Sequence, residues 1–292
     1  VFVQTNSIQA VKAYFKERLQ QQFTESELKA MLKVAICERL NLSSADYLLC
    51  DSNLLSESDL LYFRSIVKRL QTNEPFQYII GKTEFYGLEL KCDKRALIPR
   101  PETEELVEWV MEVAASENTL IDFCTGSGCI ALALKNELPN ATVLATDYSE
   151  DALSLSKENA KVLKLDVEFF LHNALSTHLP STLTEQSIDI IVSNPPYIPE
   201  LDKQEMQANV LDFEPHMALF VENDKALIFY KAIASHAAKL LKKNGLLFFE
   251  IHERLALETK EAIEALGFID VEIRKDLQGK DRMIKARFPS VN

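Results

Sequence analysis

From Asn118 onward the chain alternates short apolar runs with longer amphipathic stretches, and few folds accept that pattern. Runs rich in β-branched and aromatic residues read as strands at Thr119–Phe123, Ala141–Thr146, Asp166–Phe170, Ile188–Ser193, Leu246–Ile251, Phe268–Ile273 and Arg282–Phe288. Apolar residues at spacings of three and four predict helices over Ser127–Leu138, Ser149–Leu163, Ala226–Leu241 and Glu253–Leu266. Strands that are apolar throughout are buried on both faces, so the pattern predicts an α/β fold: a mostly parallel sheet covered by helices on each side. The last two strands have no helix between them, which predicts an antiparallel hairpin at the sheet edge.

The chain before this region has a different period. From Ile8 to about Ile80 the apolar spacing is helical, as in Val11, Tyr14, Phe15 and Leu19, then Leu28, Leu32, Ala35 and Ile36. Thr24-Glu25-Ser26-Glu27 has the form of a capping box. A small helical bundle is expected, and no chemistry shows in it; packing scaffold and substrate-docking domain are equally open. Phe85 to Cys92 alternates like a strand, and Ala96-Leu97-Ile98 follows a polar Asp93-Lys94-Arg95 turn, so a β-hairpin is expected over 84–98. Pro101 suits the first position of a helix over Glu102–Ala115. The expected division is a helical domain at 1–83, a hairpin linker at 84–98 and a sheet-containing domain at 99–292. With only seven glycines in the chain, each one marks a backbone need; Gly245 and Gly267 read as helix C-caps leading into strands.

Composition removes several classes of function. The formal net charge of −12 disfavours a general nucleic-acid binder, and no direct nucleic-acid partner is expected. No apolar run approaches the roughly 20 residues that span a bilayer, so no membrane partner is expected. The stretch from Val1 to Gln22 is amphipathic and lacks the apolar core of a signal peptide, so the expected location is cytoplasmic. The five cysteines and five histidines show no metal-ligand spacing; the cysteines read as reduced thiols and no metal is expected.

Two loops carry the chemistry. Asp122-Phe123-Cys124-Thr125-Gly126-Ser127-Gly128 joins the first sheet strand to its helix. Glycines there let a ligand approach the backbone, and a helix N-terminus presents free N–H groups. Asp147, at the end of the second strand, can accept both hydroxyls of a ribose. These features fit a dinucleotide as well as S-adenosylmethionine. Asp122 favours the latter, because a carboxylate suits a cationic amino-acid end and repels a pyrophosphate. Asn173, after the third strand, is a candidate for the adenine edge. The second loop is Ser193-Asn194-Pro195-Pro196-Tyr197. It follows an apolar strand that two prolines stop at once, since neither can donate to a sheet. An amide, two rigid rings and a phenol then sit at the rim where open α/β sheets bind ligands.

Several segments in order give the chain a family resemblance. Phe76-Gln77-Tyr78-Ile79-Ile80-Gly81, Phe85-Tyr86-Gly87, Leu97-Ile98-Pro99-Arg100-Pro101-Glu102-Thr103-Glu104, Thr125-Gly126-Ser127-Gly128, Asn194-Pro195-Pro196-Tyr197-Ile198, Glu214-Pro215 and Asp276 to Arg282 together resemble the HemK/PrmC family. These are peptide chain release factor glutamine N5-methyltransferases. The resemblance implies a Rossmann-like class I S-adenosylmethionine-dependent methyltransferase domain with a seven-stranded sheet and a helical N-terminal domain. It implies class I release factors as partners, methylated on the glutamine of their Gly-Gly-Gln loop. By position, Asp122, Cys124, Thr125, Gly126, Ser127, Gly128, Asp147, Asn173, Ala174 and Asn194 would line the cofactor. Asn194, Pro195, Pro196 and Tyr197 would hold the substrate, with Asn194, Pro195 and Tyr197 catalytic. The chain departs from the family at Cys124, where glycine is frequent, at His252, and across Glu222–Ala226.

Elementary chemistry agrees with that assignment. An amide nitrogen is a poor nucleophile, because its lone pair is delocalised, and it is too weakly acidic to deprotonate beforehand. A site can orient it: the Asn194 side-chain carbonyl and the Pro195 backbone carbonyl each accept one N–H. Those bonds strengthen as positive charge develops on nitrogen. Two alternatives use the same residues differently. An adenine-N6 methyltransferase acting on DNA or tRNA would present an exocyclic amine by flipping, and the net charge of −12 stands against it. A non-catalytic nucleotide- or partner-binding protein has no evident use for the tetrapeptide.

Overall fold

The computed structural model describes residues 3–289. Val1 and Phe2, which open the expected amphipathic stretch, and residues 290–292 lie outside the described residues. The chain divides into two compact units. One holds the chain up to Gly81 together with Gln207–Phe213; the other holds Lys82–Met206 and the chain from Glu214 on.

In the first unit, helices α1 (Ile8–Leu19), α2 (Glu25–Leu40), α3 (Ser44–Tyr47), α4 (Glu57–Leu70) and α5 (Phe76–Ile80) follow one another. Thr24 and Glu27 form the expected capping box, and Ser56 with Asp59 forms another at the start of α4. The apolar stripes Ile8, Val11, Phe15 and Leu19 of α1 and Phe63, Ile66, Val67 and Leu70 of α4 meet α2 in one core. Arg69 pairs with Glu74 and reaches the carbonyls of Tyr78 and Ile79, which fixes the short α5 against α4.

The second unit opens with strands β1 (Lys82–Phe85) and β2 (Leu88–Lys91), which pair antiparallel. The hairpin turns at Tyr86-Gly87, both with positive φ (48° and 74°), the geometry that matches strand twist in a two-residue loop. The expected turn at Asp93–Arg95 forms, with the Ala96 N–H bonded to the Asp93 carbonyl at 3.3 Å, but no strand follows it at Ala96–Ile98. Arg95 in that turn ties Asp93 to Glu158, and Ala96–Ile98 runs as irregular chain.

Then come α6 (Pro101–Met111), β3 (Thr119–Phe123), α7 (Cys129–Glu137), β4 (Thr142–Asp147), α8 (Glu150–Leu163), β5 (Glu168–Leu171), β6 (Ile188–Ser193) and the two-residue β7 (Ile198–Pro199). Helix α9 (Ala208–Phe213) counts with the first unit. The chain continues as β8 (Phe220–Val221), α10 (Ile228–Leu240), β9 (Leu241–Glu250), α11 (Ala256–Glu264), β10 (Ile269–Lys275) and β11 (Asp281–Arg287). The main sheet has seven strands in the order β10-β11-β9-β6-β3-β4-β5. β3, β4, β5, β6 and β9 are parallel, and β11 closes antiparallel onto β9 and β10. Strand alternation splits the core. Leu120, Ile190, Val192 and Phe248 face α6 and α7, whereas Ile121, Phe123, Ile191, Leu247 and Phe249 face α10 and α11.

Gly245 is not a helix C-cap. Helix α10 stops at Leu240, Asn244 takes the positive φ (62°), and Gly245 lies inside β9. A Cβ there would stand 3.0 Å from Leu241 Cδ2 and from the Lys242 carbonyl, so any larger residue must push this tight return apart. Gly267, at φ 91°, does follow the end of α11, its N–H bonded to the Glu264 carbonyl.

Candidate active site

β3 lies between β4 and β6, so the loops after β3 and β6 leave the sheet in opposite directions at a topological switch point. The register pairs Phe123 with Ser193, and the Ser193 hydroxyl donates to the Phe123 carbonyl at 2.6 Å. Cys124 and Asn194 therefore begin their loops side by side. Between them opens a cavity of about 520 Å³, a size suited to a nucleoside-sized ligand.

The floor is the β3–α7 loop. Cys124, Gly126 and Gly128 all take positive φ (61°, 57° and 84°). This is why glycine is apt at position 124, and Cys124 holds a left-handed backbone that costs about 1–2 kcal/mol. Asp147 ends β4 on the cavity wall, accepting the Gly126 N–H on Oδ2 and the Ser149 N–H on Oδ1, each at 2.9 Å. Burial raises its carboxyl, and those amides oppose the shift. The thiols of Cys124 and Cys129 are likewise pushed up by burial, the latter to about 12, which keeps both neutral. Among the described residues no cluster of side chains suited to a metal ion occurs.

The opposite wall is Asn194 with Thr103 and Pro196, and Asn194 is anchored by hydrogen bonds along it. Its Nδ2 donates to Thr103 Oγ1 at 3.2 Å, Thr103 donates to Glu250 Oε2 at 2.6 Å, and the Tyr197 hydroxyl donates to Glu250 Oε1 at 2.9 Å. Thr103 comes from the first turn of α6 and Glu250 from the end of β9. Burial raises the Glu250 carboxyl; hydrogen bonds from Thr103 and Tyr197 and the charge of Arg282 oppose it. A third wall is Ile98-Pro99-Arg100, held on the Pro215 segment by Glu214. That buried carboxylate accepts the Ile98 N–H at 3.1 Å and the Arg100 guanidinium at 2.6 Å.

Most expected site residues meet here. Cys124, Thr125, Gly126, Ser127, Asp147, Asn173, Ala174, Asn194 and Pro196 all line the cavity. Asp122 and Gly128 do not. The alternation that turns Leu120 toward α7 carries Asp122 to the same face, where it is fully buried and accepts the Thr125 hydroxyl at 2.6 Å. Gly128 serves packing: a Cβ would come within 3.0 Å of Ser156 Cβ on α8. Pro195 and Tyr197 also stand outside the cavity wall, Tyr197 turned to Glu250 with its ring edge-on to His252. Asn173 Oδ1 accepts the Leu175 N–H within its own turn, which leaves its Nδ2 for a ligand.

Sequence reading passed over Thr103, Glu250 and Tyr148. Thr103 was hidden in a segment that reads as a proline-started helix. Glu250 carried a visible signal, an acid ending the apolar run Leu246-Leu247-Phe248-Phe249. Tyr148, 62% exposed on the cavity rim, directly follows Asp147.

The residues present fit S-adenosylmethionine. The cavity has the volume, and a Cβ on Gly126 would have only Ala96 Cβ, at 4.0 Å, near it, so the loop leaves open space beside its backbone. Comparison with known proteins agrees. Residues 102–213 match the methyltransferase small domain family, and residues 11–81 match the PrmC N-terminal domain family. A methyltransferase structure from Pyrococcus furiosus shares the fold at 18% identity, with a TM-score of 0.50 over 70% of this chain and 90% of that one. Fold and site thus define a class I S-adenosylmethionine-dependent methyltransferase. Similar sequences narrow this further. A release factor glutamine methyltransferase from Flavobacterium psychrophilum is 40% identical over 96% of this chain and 99% of its own length. One from Bacteroides thetaiotaomicron is 40% identical over 94% and 98%. The chain belongs to the release factor glutamine methyltransferase family.

Proposed function

We propose that this enzyme methylates the side-chain amide nitrogen (N5) of the glutamine in the Gly-Gly-Gln motif of class I peptide chain release factors, with Asn194 as the group that holds that amide. The observation carrying this reading is the strand register, which sets Asn194 beside the glycine loop on one cavity. S-adenosylmethionine supplies a methyl group on a positively charged sulfur. Cys124 to Ser127 and Asp147 would hold its amino-acid and ribose parts, and Tyr148, Asn173 and Ala174 its adenine.

The protein's own task is to aim a weak nucleophile. Asn194 Oδ1 and the Pro195 carbonyl each accept one N–H of the substrate amide, which points the nitrogen lone pair at the methyl group. Positive charge on nitrogen strengthens both bonds, a stabilisation of about 3–4 kcal/mol per well-placed group. The Tyr197 ring stands outside the cavity wall, fixed by its bond to Glu250, and would offer a flat face to a glutamine entering beside Asn194. The proton leaves to water after transfer, so no side-chain base is required. We assign the helical unit to docking the release factor; Leu48, Leu49 and Leu54 stand 78%, 83% and 73% exposed on it. Among the described residues no helix is long and apolar enough to cross a membrane, and we place the reaction in the cytoplasm, on protein rather than nucleic acid.

Radiolabelled methyl transfer to a release factor tests this. Label should vanish when the motif glutamine is changed to alanine; undiminished labelling, or labelling of DNA or tRNA instead, overturns it. Asn194→Ala should cut turnover roughly 100-fold or more while leaving cofactor affinity nearly unchanged; the reverse pattern contradicts its role.

A further inference from the structure

The reaction asks Asn194 to show its oxygen, not its nitrogen, to the substrate. The two ends of an asparagine amide are nearly identical in shape, so its own sterics do not choose between them. We infer that Glu250 and Thr103 make the choice, acting as a buried polarity relay that fixes Asn194 Oδ1 toward the substrate and so selects glutamine over glutamate.

The argument is one of hydrogen count. In its ionised form, which the Thr103 and Tyr197 hydroxyls and the charge of Arg282 favour against burial, Glu250 only accepts. Glu250 accepts the Tyr197 hydroxyl on one oxygen and the Thr103 hydroxyl on the other. Thr103 has a single hydroxyl proton, and Glu250 holds it at 2.6 Å. What Thr103 turns to Asn194 is therefore a lone pair, and only Nδ2 can bond to it, as it does at 3.2 Å. Turning the amide over would set Oδ1 against that lone pair and leave Nδ2 aimed at the substrate. Thr103 and Glu250 are each 2% exposed, so solvent offers neither an alternative partner.

The consequence for selectivity follows from the chemistry of the two side chains. A primary amide brings N–H donors to Asn194 Oδ1. A carboxylate of the same length brings only lone pairs, and oxygen meets oxygen. A site built to hydrogen-bond a donor rejects an analogue that lacks it, because the buried polar group is left unpaired. Thr103 and Glu250 are positioning residues; neither is proposed to touch the reacting atoms.

This inference rests on the proposed role of Asn194, and the test separates the two. Wild-type methylation of the release factor checks the underlying reading. The relay is checked by Thr103→Val, which keeps the shape and removes the hydroxyl. Binding is measured with S-adenosylhomocysteine present, to the release factor and to its motif Gln→Glu variant. Wild type should prefer the glutamine form. In Thr103→Val that preference should fall by about five- to tenfold, and turnover by roughly 10- to 100-fold. Affinity for S-adenosylhomocysteine should stay within about twofold, and Thr103→Ser should restore both preference and turnover. Should valine lower the melting temperature, Thr103→Ala repeats the test without the branched side chain. An unchanged glutamine preference in a folded variant overturns the relay, as does a loss of cofactor affinity equal to the loss of preference.

Discussion

Asp122 gives the sharpest test of the physics beneath the site. It has no exposed surface, and burial pushes its carboxyl up from an ordinary 3.8 to about 7. The Thr125 hydroxyl and the Ala131 amide pull it down, and the nearby Asp147 charge adds to the rise. A raised carboxyl favours the protonated fold, so the stability it contributes is complete below about pH 4 and is lost as pH climbs through about 7. Tenfold in proton affinity is about 1.4 kcal/mol, so the whole span is worth about 4 kcal/mol, more than half of which falls between pH 5 and pH 8. Asp122→Asn removes the titration and keeps an acceptor for Thr125. The new NH₂ group is left without a partner, a cost that does not depend on pH. The stability of wild type relative to Asp122→Asn should therefore drop by about 2–3 kcal/mol from pH 5 to pH 8. Urea unfolding of the cofactor-free protein measures it, and Trp109 reports on the right unit, being the single tryptophan and packed in the α6/α7 core. Parallel curves for the two proteins across that range would refute the argument. A difference that grows with pH would show instead that the fold favours the ionised acid.

Two further substitutions separate packing from binding. Gly128→Ala should destabilise by about 2–4 kcal/mol, combining a left-handed backbone with contacts near 3 Å to Ser156 and Leu132. Gly126→Ala has space around it and should lose only about 1 kcal/mol, yet weaken S-adenosylmethionine binding by calorimetry about tenfold or more; equal stability losses would contradict the division. Glu214→Ala strips the partners from Arg100 and the Ile98 N–H and should cost about 3 kcal/mol in urea unfolding. An effect below about 0.5 kcal/mol, the level of an ordinary surface change, would show that this wall is held otherwise.

The central strands were legible because nothing competes with their signal. Thr119–Phe123 and Ile188–Ser193 are apolar, buried on both sides and sharply ended, and they form over those same residues. The errors fall where tertiary contacts override local preference. Lys242-Lys243-Asn244-Gly245 looks like the end of a helix, but the neighbouring strand captures it: Phe288 pairs with Asn244 and Gly245, and Asn244 takes the left-handed turn. Asp93–Arg95 does turn, but its side chains go to an ion cluster with Glu158 and no strand follows, so the hairpin is the one closed by Tyr86-Gly87. The site divides in the same way. Loop residues such as Asn194 and Asp147 announce themselves by type and place. Asp122 was assigned by charge alone, and only its strand register reveals that it faces α7.

The residues that touch the substrate need not be the ones that say most about it. Asn194-Pro195-Pro196-Tyr197 presents carbonyls and a ring, a device that any planar NH₂ group can use, a nucleobase included. Discrimination has to come from whatever fixes the orientation of that device and admits one shape to it. Here Thr103 belongs to Ile98-Pro99-Arg100-Pro101-Glu102-Thr103-Glu104, and in the same segment Ile98 and Arg100 bond Glu214. One stretch of chain thus aligns the Asn194 amide and walls the cavity beside it. The fold brings this stretch to Asn194 across 91 positions of sequence, through a hydroxyl whose only local role is to sit in the first turn of a helix. If the relay holds, selectivity between amide and carboxylate should respond to changes at Thr103 and Glu250 more than to changes in the exposed rim of the cavity, because only the buried groups dictate which end of the amide faces out.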